Sequence, residues 1–66
     1  MSDTELQVEK QRVSEQRMRV LRQQGIILRL HREGGERLDE AVGLLNSLRG
    51  ELNRMESRLE ELIMNS

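Results

Sequence analysis

From residue 38 onward the apolar positions alternate intervals of three and four without a break: Leu38, Ala41, Leu45, Leu48, Leu52, Met55, Leu59 and Leu62. This rhythm puts all eight on one stripe of an α-helix, the a and d positions of a heptad seam, because an α-helix returns to nearly the same face every seven residues. Val42, Leu44 and Ile63 flank that seam. They widen the stripe beyond what one facing helix covers and imply more than one helical neighbour. Gly43 and Gly50 fall on the outward side, where each costs roughly 1 kcal/mol of helix propensity against alanine.

The first half carries a weaker version of the same pattern. Leu6, Val13, Val20 and Ile27 recur every seven residues, and Leu21, Leu28 and Leu30 broaden the stripe only toward its end. Lys10, Arg17, Gln24 and His31 recur at the same interval beside that row, so the seam of the first helix is expected to be partly polar. Ser2 followed by Glu5 fits a capping box, and Asp3, Glu5 and Glu9 suit the positive end of a helix dipole. The pattern predicts helix one from about residue 4 to 33 and helix two from about 36 to 64.

Between them stand Gly34 and Gly35. A glycine in the left-handed conformation, just after a last turn rich in cations such as Arg29, His31 and Arg32, is a common way for a helix to stop. Gly35 can then cap the second helix, whose first turns hold Glu36, Asp39 and Glu40. A helix running straight through both glycines would lose on the order of 2 kcal/mol relative to alanine. The pair therefore reads as a turn. The expected fold is all-α: one domain, residues 1–66, forming an antiparallel two-helix hairpin with coiled-coil packing. Its expected seam comprises Val13, Val20, Ile27, Leu28 and Leu30 facing Leu38, Ala41, Leu45, Leu48, Leu52, Met55, Leu59 and Leu62.

Composition sharpens this in one respect. The 66 residues include no cysteine, proline or aromatic residue, so neither a disulfide nor a thiolate zinc site can staple a small core. A lone hairpin buries little beside the entropy of ordering the chain. Self-association is thus expected, with two hairpins pairing into a four-helix bundle, or docking of one hairpin on the helices of a larger protein. The longest apolar run, Ile26-Ile27-Leu28, is far short of the roughly 20 residues that span a bilayer, and the polar opening does not resemble a secretory signal. A cytoplasmic protein without membrane partners is expected.

The formal charge of −1 hides an asymmetry. Residues 10–32 hold Lys10, Arg12, Arg17, Arg19, Arg22, Arg29 and Arg32 against Glu15 alone, whereas residues 33–66 hold eight acids against four arginines. A basic helix folded back on an acidic one is the reading preferred here, with Arg12, Arg19, Arg22 and Arg29 as candidates to contact an acidic partner. The alternative is a basic arm followed by a leucine zipper, Leu38, Leu45, Leu52 and Leu59, grasping DNA as a dimer. Against it stand the apolar residues within the basic stretch, the missing Asn and Ala pattern for reading bases, and the glycine pair. In a parallel zipper Glu51 would also face Glu56. Nucleic acid is therefore not the expected partner.

Catalysis has no foothold in the pattern. His31 is the only histidine, too few for a histidine-based metal site within one chain, and its following Arg32 departs from the acidic neighbour of phosphorylatable histidines in sensor-kinase hairpins. The carboxylate pairs Asp39 with Glu40 and Glu60 with Glu61 lie on an expected solvated surface, with no cleft to shift their pKa. No enzyme activity, cofactor or metal is expected.

The run Gln24-Gly25-Ile26-Ile27-Leu28-Arg29-Leu30, the glycine turn, and then Asp39-Glu40-Ala41 with Leu44, Leu45 and Leu48 resemble short uncharacterised helical proteins of alphaproteobacteria. The resemblance, best over residues 16–48, implies a helical hairpin in a bacterial cytoplasm and brings no established activity. Those proteins tend to open the second helix with Asp or Thr, where this chain has Arg37 and Leu38.

Overall fold

The computed structural model describes residues 3–65, which form two α-helices, α1 (Asp3–Arg32) and α2 (Leu38–Met64), packed against each other as a hairpin. The molecule is 50 Å long and 14 × 11 Å across. A single helix of this many residues would extend about 95 Å at 1.5 Å per residue, so the glycines are a turn and not a straight hinge. The zipper leucines of α2 consequently pack on α1 of the same chain, a different arrangement from a continuous basic-arm helix.

Both glycines serve the end of α1. Gly34 takes φ +84°, its N–H donates to the His31 carbonyl at 3.4 Å, and the Gly35 N–H donates to the Leu30 carbonyl at 2.8 Å. This paired closure is a Schellman motif, with Gly34 in the left-handed position that a Cβ disfavours. Gly35 is needed for a second reason: a Cβ there would lie 2.8 Å from the Leu30 carbonyl oxygen. Because Gly35 is pressed against α1, it does not cap α2. The Leu38 N–H instead donates back to the Gly35 carbonyl at 3.2 Å, and Glu36 and Arg37 complete the reversal.

Helix two therefore starts at Leu38, two residues later than the pattern predicts, and helix one ends at Arg32. The turn occupies residues 33–37 and not only Gly34 and Gly35. Arg37 stands at the N-cap with no side-chain cap hydrogen bond, and the first turn relies on Asp39 and Glu40 against the dipole. The expected Ser2 cap of helix one lies outside the described residues.

All eight predicted positions of α2 lie on its inward side: Ala41 and Leu45 are buried, and Leu38, Leu48, Leu52, Met55, Leu59 and Leu62 are half-buried. From α1 come the buried Val13 and Val20 with the half-buried Leu6, Ile27 and Leu30. Leu28 is a correction to the expected seam: it is 65% exposed. Each residue turns about 100° around the helix, so with Ile27 and Leu30 facing inward Leu28 must look sideways and out.

Between the α1 apolar positions the seam is completed by polar residues. Gln16, 1% exposed like Val13, donates from Nε2 to the Leu48 carbonyl at 3.0 Å, and Gln23 donates to the Ala41 carbonyl at 2.9 Å. Each acceptor lies inside α2 and offers its second lone pair. The Gln16 Oε1 in turn accepts from Arg19 at 3.0 Å. No buried side-chain nitrogen or oxygen among the described residues lacks a partner. The half-buried Glu9 occupies the equivalent position nearer the chain start. The expected polar character of the α1 seam is thus present, but it comes from Glu9, Gln16 and Gln23. Lys10, Arg17 and His31 are exposed, and Gln24 is half-buried.

Candidate protein-interaction surface

Two surfaces remain once the seam is closed. The first is a flank beside the turn. Leu30, Ala41 and Leu44 line an open groove together with Arg37 and Glu40. Exposed Ile26 precedes Leu30 by one helical turn on the same side of α1. Leu44 is exposed for a related reason: it sits one residue before the buried Leu45, at the edge of the α2 stripe. Val42 and Ile63, expected to touch a further helix, are exposed on the other edge.

The second surface is the outward side of α1. Met18, Leu21, Gly25 and Leu28 follow one another at intervals of three, four and three, all exposed. Their spacing repeats the seam rhythm on a face that has no helix against it within the chain. Cations border it.

The four arginines singled out from the sequence do not behave alike. Arg12 approaches Glu9 of its own helix at 3.4 Å, and Arg19 is tied to Gln16. Arg22 and Arg29 form no ion pair among the described residues. The one ion pair between α1 and α2 among the described residues belongs to another arginine, Arg17, whose Nη2 lies 2.8 Å from Glu56 Oε2. With both side chains well exposed, that contact contributes about 1 kcal/mol or less. The acidic second helix therefore leaves most of the basic charge of α1 unmatched.

Sequence reasoning missed Gln16 and Gln23 because they are polar. The signal was present: Leu6, Glu9, Val13, Gln16, Val20, Gln23, Ile27 and Leu30 repeat the three-four alternation of α2 through eight positions. Counting the long amide side chains as seam residues recovers the register.

The surface depressions are open grooves, and among the described residues no three His, Asp or Glu side chains gather as a metal-binding group. His31 is exposed at the end of α1. No helix among the described residues is long and apolar enough to cross a membrane. Comparison of the chain with protein-family models, with curated proteins and with solved structures gave no match.

Proposed function

We propose that the protein is a non-enzymatic helical interaction module that pairs with a second copy into a four-helix bundle of coiled-coil character. The observation that carries this reading is the apolar flank beside the turn, where Ile26 and Leu44 stand open to solvent on either side of the half-buried Leu30, next to a seam that two helices only half cover. The groove rim supports a twofold arrangement. It holds one cation, Arg37, and one anion, Glu40, so two copies meeting face to face can set opposite charges across from each other. Covering the flank also lengthens the core of a chain too small to stabilise itself well alone.

Sedimentation equilibrium tests the reading. The expected species has twice the 7.7 kDa chain mass. Leu44→Ser should shift dimer dissociation to at least about tenfold higher concentration, which corresponds to roughly 1.4 kcal/mol, a modest share of what burying a leucine contributes. A wild-type chain that stays monomeric and helical at about 100 µM, where even a weak dimer of micromolar affinity would form, removes the proposal.

A further inference from the structure

The outward stripe of α1 has a different charge character from the groove beside the turn, and that difference indicates its occupant. Met18, Leu21 and Leu28 are 53%, 59% and 65% exposed. Residues 16–32 contain Arg17, Arg19, Arg22, Arg29 and Arg32 and not one acid. Arg22, Arg29 and Arg32 lie on the exposed side of the helix and make no ion pair among the described residues. Gly25 opens a gap in the middle of the stripe: a Cβ placed there would meet nothing within 4 Å. A glycine inside a helix costs roughly 1 kcal/mol against alanine, and nothing among the described residues uses the space it leaves.

We infer that this stripe is a docking site for an acidic amphipathic helix of another protein, laid along α1 with an apolar side chain entering the gap at Gly25 and carboxylates meeting Arg22, Arg29 and Arg32. This deepens the interaction-module reading and rests on it, but uses a separate face. A second copy of the chain suits the stripe poorly. Two α1 stripes set against each other would oppose Arg22, Arg29 and Arg32 of both copies, with Glu15 at the Met18 end the one acid beside them. The outward side of α2 offers no matching row either: Gly43, Ser47, Gly50 and Ser57 stand where large apolar residues would be needed. A lipid surface is also the poorer occupant, because interfacial helices bury broad apolar faces, often with aromatic anchors, and this chain has a narrow stripe and no aromatic residue. An acidic helix satisfies both the spacing and the charge.

The test uses the full chain and a fluorescently labelled designed helical peptide with leucines at alternating intervals of three and four and glutamates on both flanks. A second peptide replaces every glutamate with lysine. The acidic peptide should bind saturably, the basic one should not, and added salt should weaken the complex. Leu21→Ser with Leu28→Ser, or Arg22→Glu with Arg29→Glu, should each weaken binding by at least about tenfold while dimer mass by sedimentation is unchanged. Gly25→Met separates binding from folding: helicity should rise, since methionine is the better helix former, while the filled gap weakens the peptide complex by a similar factor. Equal binding of both peptides, absence of saturable binding, or indifference to Gly25→Met overturns the inference. So does a transfer of the same mutational pattern to phosphatidylserine vesicles or duplex DNA. A dimer that ignores the peptides would remove this inference alone; a monomer that still binds the acidic peptide would remove only the pairing proposal.

Discussion

The two helices present the same eight-position rhythm and fill it in opposite ways. Helix α2 places Leu, Met and Ala at every seam position, whereas α1 interleaves Leu, Val and Ile with Glu9, Gln16 and Gln23. By hydrophobicity α2 should be the better buried. The reverse holds at the centre, where Val13 and Gln16 of α1 are the most deeply enclosed side chains of the hairpin. The lesson is about partners: at the centre of the hairpin α1 is covered by the long leucines of α2, while α2 has there only Val13, Val20, Gln16 and Gln23 to cover it. Apart from the buried Leu45, its seam leucines remain half open, which is why the chain still has apolar surface to offer.

Truncations should expose this inequality. Leu45→Ala removes one of the two buried α2 side chains and should cost about 2–5 kcal/mol in urea unfolding followed by circular dichroism. Val13→Ala loses fewer atoms and should cost about 2 kcal/mol. Equal losses would mean that the two helices contribute alike despite their composition. A smaller effect in the opposite direction is expected from replacing the polar rungs. Gln16→Leu with Gln23→Leu should raise stability by about 1 kcal/mol, while the sedimentation profile broadens into several species, because a polar seam residue fixes register at some cost in stability. A lower unfolding midpoint with one sharp species would show the amide bonds to be net stabilising. The smallest change belongs to Glu56→Gln, which removes the single ion pair between the described helices. Its cost should stay below about 1 kcal/mol and vanish at high salt.

The hairpin was legible in the sequence because three independent signals agreed: the α2 seam, the matched length of the two arms, and two adjacent glycines in a chain otherwise rich in helix formers. The start of α2 was less legible, since Gly35 could cap one helix or close the other, and only its closeness to the Leu30 carbonyl decides. Leu28 was misplaced because it adjoins Ile27 in sequence, and chain neighbours on a helix point in different directions. Gln16 and Gln23 were hidden by their polarity, although α2 supplies carbonyls that make their burial inexpensive. Of the candidate arginines, the sequence could identify the basic helix but not which cations its own side chains would occupy. Arg12 and Arg19 are held within α1, while Arg22 and Arg29 remain available.

The two glutamine bonds also set an order of assembly. Gln23 reaches a residue 18 positions away in the chain and Gln16 one 32 positions away. Loop-closure entropy grows only with the logarithm of length, so closing the farther bond first would cost about 0.5 kcal/mol more closure entropy than closing the nearer one. Folding can then zip outward from the glycines, each rung shortening the search for the next. The speed at which the chain finds its shape is therefore set at the turn, while the permanence of that shape is set along the seam.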